Sequence, residues 1–262
     1  METEQERQWR KETARQDGEV DSILLIGQSN MCGRGIIGQV PPIDPEGKMF
    51  MLRNGRWQPM SEPINPDRQV FAKSDVEFRS GVSLAASFAQ EYAHAYDRKV
   101  GLIPCADGGT KLIEWQPGEI LFDHAVMQAK LAQRSSKICG ILWHQGESDS
   151  REPADVAAYA ERFFCMLDAM VRALGLEETV PVIVGEITLL TGKRWPLAAE
   201  INGELHKIAA SRPNMDIASA EGLTLSADGI HFDSASYRVF GRRYFEAYQR
   251  ARRRVCKKEN GQ

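Results

Sequence analysis

The chain has 262 residues, 42% of them hydrophobic and 26% charged, and a formal net charge of -3. A chain of that length buries roughly three quarters of the surface its unfolded form exposes, so it needs no disulfide or metal staple. The balanced charge excludes a disordered chain or a nucleic-acid coat, and no run of about 18 apolar residues offers a membrane span.

Residues 1–19, METEQERQWRKETARQDGE, mix both signs of charge without an apolar core. They read as a charged extension rather than a secretory signal. Cys32, Cys105, Cys139, Cys165 and Cys256 make an odd set without CxxC spacing, three of them in or beside apolar runs where thiols act as small hydrophobes. A reducing cytoplasm is the expected compartment.

From residue 20 onward short aliphatic runs alternate with helical patterns. Residues 20–27, 99–105, 138–143, 181–185 and 216–219 read as strands. Residues 81–97, 123–135, 153–174 and 196–211 repeat apolar side chains at three and four positions, and a last helix fills 234–253. The basic run at its end, RARRRVCKK, reads as a solvated helix terminus. Strands apolar on both faces and separated by helices predict an α/β fold, a three-layer α/β/α sandwich around a five-stranded parallel sheet. Two connections, 32–80 and 106–122, far exceed the usual 2–6 residues or so, and both follow strand ends, where open parallel sheets bind ligands. No repeat or linker divides the chain after residue 20.

The polar clusters fall on that same rim. The stretch VDSILLIGQSNMCGRG runs from strand into Gln28, Ser29 and Asn30; ADGGTKLIEW follows the second strand, WHQGESD the third, and SADGIHFD precedes the last helix. A serine hydroxyl attacks a carbonyl only when an imidazole takes its proton, and the imidazole needs a carboxylate on its other nitrogen. Ser29, His231 and Asp228 supply that set, the last two within one turn. Gly108 and Gly109 expose backbone N–H groups; with the Ser29 N–H and the Gln145 amide they are the candidate donors to an oxyanion. Position 31 is Met where the elbow of α/β-hydrolases, GxSxG, requires glycine. Asp233 or Ser234 is positioned to cap the final helix.

These blocks, IGQSNM, GGT with EW, WHQGESD and DGIHF, resemble the SGNH (GDSL-like) hydrolase superfamily, in its carbohydrate acetylesterase branch of sialate O-acetylesterase-like and acetylxylan esterase-like proteins. They extend from residue 23 to 233 in the family's order. The resemblance implies a flavodoxin-like fold over a single domain, 20–262. It makes Ser29 the nucleophile, His231 the base and Asp228 its orienting acid. Gly108 or Gly109 becomes the glycine oxyanion donor and Gln145 the side-chain donor in the place where many superfamily members carry asparagine. Glu147 and Asp149 take supporting roles behind the site.

The function expected is removal of O-acetyl groups from sialic acid, xylan or other oligosaccharides through an acetyl-enzyme, without metal or organic cofactor and without nucleic-acid or membrane partners. Trp115 is the expected face for a sugar ring; Trp143 reads as a core aromatic, and Arg34, His144 and Arg194 are weaker substrate contacts. Three alternatives remain open. One is an esterase or thioesterase for a non-carbohydrate acyl substrate, another a non-catalytic sugar-binding protein, and the third a metal-dependent hydrolase using Asp228, His231, His144 and Glu147. Cys32 lies one turn from Ser29 but has no base of its own, so packing is its expected role. With His231 as base, activity is expected to rise through roughly pH 6–7.

Overall fold

The computed structural model describes residues 20–66 and 79–259. The charged extension at 1–19 lies outside the described residues.

The first strand, β1 (Val20–Gly27), is central, and its side chains divide by alternation. Val20, Leu24 and Ile26 enter the core on one face, Ile23 and Leu25 the core on the other, as a strand buried on both sides requires. A single turn of helix, α1 (Ser29–Cys32), follows. Then come β2 (Met49–Arg53), β3 (Arg56–Pro59), α2 (Leu84–Tyr96), β4 (Lys99–Pro104), α3 (Ile120–Ala132) and β5 (Ser136–His144). The chain ends with α4 (Pro153–Ala157), α5 (Tyr159–Leu174), β6 (Val182–Gly185), α6 (Ala198–Ser211), β7 (Met215–Ala218) and α7 (Ser234–Glu259).

The sheet has seven strands in the order β3-β2-β4-β1-β5-β6-β7, so the expected five is corrected by two. All pairs are parallel except β2 with β3. The additional pair is a hairpin inside the segment read as a long loop, turning at Asn54 and Gly55, which have φ of 49° and 69°. Two consecutive left-handed residues match the twist of a hairpin, and Asn-Gly is the pair that adopts them most readily. The proline-rich surroundings masked that signal. Residues 153–174 also divide, α4 closing at Ala158 before α5 begins.

Helices α2 and α7 cover one face of the sheet; α3, α5 and α6 cover the other. Asp233 caps α7, its Oδ1 accepting the Ser236 N–H at 2.7 Å. No described helix is long and apolar enough to cross a membrane. Strands β4, β1 and β5 lie side by side and in parallel, so the segments that leave them emerge together. Connections from β1 lead to one side of the sheet and those from β5 to the other, which opens a crevice at their carboxyl ends.

Candidate active site

Backbone hydrogen bonds carry the sheet one residue beyond its strands. Gln28 N–H donates to His144 O at 2.9 Å, and Asp107 N–H donates to Gly27 O at 3.0 Å. Gly27 sits where the two chains pass closest: a Cβ there would stand 2.1 Å from His144 O, and φ is +131°. Only glycine tolerates both. Ser29, Gly108 and the 145–149 turn therefore leave three neighbouring strands at one level.

They meet around a cavity of about 220 Å³ lined by Gln28, Ser29, Arg34, Gly108, Gly109 and Ser148, with Arg151, Arg194, Trp195, Ile230 and His231 completing it. Ser29 and His231 are 202 residues apart in the chain, yet both line this one space. Asn30, the neighbour of Ser29, accepts the N–H of Phe232, the neighbour of His231, at 3.3 Å.

His231 is oriented by a short turn. Its Nδ1 lies 2.7 Å from Asp228 Oδ2, while Asp228 Oδ1 accepts the N–H groups of Ile230 at 2.8 Å and His231 at 2.9 Å. Burial alone would raise the Asp228 carboxyl, but the His231 backbone and ring and the Ile230 N–H outweigh it and bring the group down to about 2. Burial also pushes the His231 imidazole below its ordinary range, against the pull of Asp228, and the Arg34 charge adds to the lowering. His231 is thus neutral, and able to accept a proton, further into acid than an ordinary histidine. That places the expected acid limb on the low side of an ordinary imidazole.

Gly108 is the glycine beside Ser29: a Cβ on it would come within 3.5 Å of Ser29 Cβ and 2.8 Å of Arg34 Nη2. Gly109 has φ +77° and faces open space, so it shapes the turn. Among the described residues, the N–H groups of Ser29, Gly108 and Gly109 donate to no backbone carbonyl.

Two expectations are corrected. Gln145 does not line the cavity; it is fully buried. Its amide nitrogen donates to Thr110 O at 2.9 Å and to an Asp149 carboxylate oxygen, and the Tyr159 hydroxyl, which donates to the Gln145 main-chain carbonyl at 2.7 Å, lies 3.1 Å from its Oε1. With both amide protons turned inward it braces the loops instead of facing an oxyanion. Trp115 is likewise fully buried, stacked edge-on against Trp143 at 5.5 Å, with Nε1 bonded to Thr110 Oγ1. No face is left for a sugar. The aromatic that does line the cavity is Trp195, from the loop after β6. Nothing in its sequence setting distinguished it, because no motif surrounds it.

Asp149 accepts the Leu112 N–H at 3.0 Å, and burial raises its carboxyl to about 6 against the opposing Gln145 and Leu112 donors. Glu147 is fully buried and accepts from Asn30 Nδ2 at 2.7 Å. Cys32 is buried and does not line the cavity. Among the described residues no cluster of three or more His, Cys, Asp and Glu side chains is arranged to hold a metal ion.

Comparison with known proteins settles the family. The model for carbohydrate esterases of the sialic acid-specific acetylesterase type matches residues 19–250. The chain belongs to that carbohydrate esterase family. A probable carbohydrate esterase of Arabidopsis thaliana is 25% identical over 249 residues, covering 86% of this chain and 89% of the relative. Among solved structures, one from Arabidopsis thaliana superposes with a TM-score of 0.75 at 24% identity, over 88% of this chain and 98% of that one. The structure of NanS gives 0.68 at 17% identity over 94% and 99%. A carbohydrate acetylesterase from Xanthomonas citri gives 0.58 at 16% identity over 90% and 57%. The fold of this chain is shared with these solved structures.

Proposed function

We propose that this esterase is a serine acetylesterase for acidic carbohydrates, working through residues 20–262 as one hydrolase domain. The observation that carries the reading is the cavity itself. Ser29, the Asp228-oriented His231 and Gly108 meet there among three arginines, and among the described residues no acidic side chain lines it.

His231 Nε2 takes the Ser29 proton as Oγ attacks the acetyl carbonyl, and the charge passing to the carbonyl oxygen is held by the Ser29 and Gly108 N–H groups. Losing one such donor costs on the order of a hundred to a thousandfold. The sugar oxygen then leaves with the proton from His231, and water, deprotonated by the same ring, hydrolyses the acetyl-enzyme to acetate and free Ser29. Gln145 and Asp149 brace the turn from behind, and no metal or organic cofactor has a part in these steps.

Arg34 Nη1 donates to Ser80 Oγ at 2.9 Å, while its buried Nε has no hydrogen-bond partner among the described residues. Arg151 and Arg194 stand opposite on the exposed rim. A carboxylated sugar supplies an acceptor for the Arg34 Nε and a counter-charge for the arginines. The modest volume, lined by Trp195 and Ile230, suits an acetyl group rather than a long acyl chain. A reducing compartment belongs to the same proposal; no disulfide is formed among the described residues.

The test is product analysis by mass spectrometry on acetylated sialic acid and on neutral acetylated xylo-oligosaccharides, with Ser29→Ala as control. Loss of all deacetylation in the folded Ser29→Ala chain is expected. Arg34→Gln should raise KM about tenfold or more on the acidic substrate alone, the loss of one charge-assisted bond. Equal effects on acidic and neutral substrates would remove the anionic reading.

A further inference from the structure

Below the cavity, where β5 ends, His144 is fully buried among Phe232 and Phe240, with ring centroids 6.1 and 5.3 Å away. Its Nδ1 lies 3.0 Å from the Tyr244 hydroxyl. That hydroxyl gives its only proton to the Trp143 carbonyl at 2.9 Å, so it accepts from the ring and Nδ1 must carry hydrogen. On the other side, Nε2 faces Glu147 Oε1 across 3.4 Å. A lone pair at Nε2 would confront the carboxylate oxygen, whereas a proton turns the contact into attraction. A fully buried carboxylate without a cation would be neutralised.

We propose that His144 is a positioning residue, with hydrogen on both ring nitrogens and set against the buried Glu147 carboxylate so that Glu147 holds Asn30 and Asn30 ties the Ser29 turn to the segment carrying His231. Every link is present. Glu147 Oε1 accepts from Asn30 Nδ2 at 2.7 Å, and Asn30 Oδ1 accepts from the Tyr237 hydroxyl at 2.7 Å and the Phe232 N–H at 3.3 Å. Tyr237 and Tyr244 face the pair from α7 and Tyr159 from α5, each pushed up by burial and therefore neutral. Arg34 and His231 stand on the cavity side. Burial opposes ionisation of Glu147, yet the His144 ring and the Asn30 amide hold its carboxyl below the usual range.

The catalytic part of this proposal rests on Ser29 and His231 acting as an esterase couple, but its first test does not depend on activity. In long-range proton–nitrogen NMR of the full chain at about pH 7, both His144 nitrogens should carry hydrogen. A bare His144 nitrogen there overturns the proposal. The second test is Glu147→Gln, checked for folding by circular dichroism. We expect kcat on p-nitrophenyl acetate to fall on the order of a hundredfold with KM within about twofold. The acid limb should also move to lower pH, because the Glu147 charge supports the His231 imidazolium. Glu147→Asp should restore part of kcat. A Glu147→Gln enzyme with wild-type kcat and an unmoved limb refutes the positioning role. If that variant does not fold, the NMR result alone decides.

Discussion

Replacing Asp228 by Asn separates the two tasks of that carboxylate. Oδ1 holds the turn through two backbone N–H groups, and Oδ2 holds His231 Nδ1 at 2.7 Å. Asn keeps a carbonyl for the turn but presents an NH₂ group to the ring. Nδ1 must then accept, which puts the neutral ring's proton on Nε2, where Ser29 needs a lone pair. The charge is lost as well. With charge centres about 4 Å apart and an effective dielectric near 20, the imidazolium–carboxylate attraction is about 4 kcal/mol. That is an upper bound, since the Asp228 side chain is 31% exposed. The charge effect alone accounts for up to roughly a thousandfold in rate, and with the wrong tautomer the expected loss in kcat/KM is about 10⁴-fold. The assay is p-nitrophenyl acetate hydrolysis from about pH 5 to 9. Asp228→Ala should lose a similar factor in rate and also about 1 kcal/mol of stability from the unfastened turn. An Asp228→Asn enzyme within about tenfold of wild type would show that His231 does not depend on this carboxylate, and the assignment of the base would fall with it.

Two further outcomes follow from the same geometry. Because burial holds His231 below 6.5, the acid limb of kcat/KM should inflect below that value; a limb above it means that another group is the base. Gly27→Ala puts a Cβ 2.1 Å from His144 O at φ +131°, which should destabilise the chain by more than about 3 kcal/mol. Thermal denaturation unchanged from wild type would mean that β1 and β5 do not approach as closely as described.

Much of the site was legible before the fold was known. β1 is an aliphatic run ending at Gly27, and Asp228 and His231 lie three residues apart in one turn. Local chemistry decides both, so both appear in the letters. The Asn54–Gly55 hairpin was equally local, and was missed because six prolines around it suggested unbroken loop. Gln145 and Trp115 went wrong for a different reason. Each follows a strand end at the right position, but position along the chain does not decide which way a side chain turns. Thr110, Asp149 and Tyr159 offered Gln145 three inward partners, and Trp143 offered Trp115 a packed edge.

Residue order alone therefore determined the α/β alternation, the four polar blocks and the Asp228–His231 turn, and it singled out Ser29 as the candidate nucleophile, because strand periodicity and turn chemistry act over a few neighbouring residues. Three-dimensional packing decided the rest: which amides face the cavity, how His144 and Glu147 share a buried charge, and that arginines from three separate loops gather around one serine. Those outcomes depend on volume and charge contributed by separate segments, Asn30 and Glu147 among them at 117 residues apart, and no short stretch of chain contains all of them.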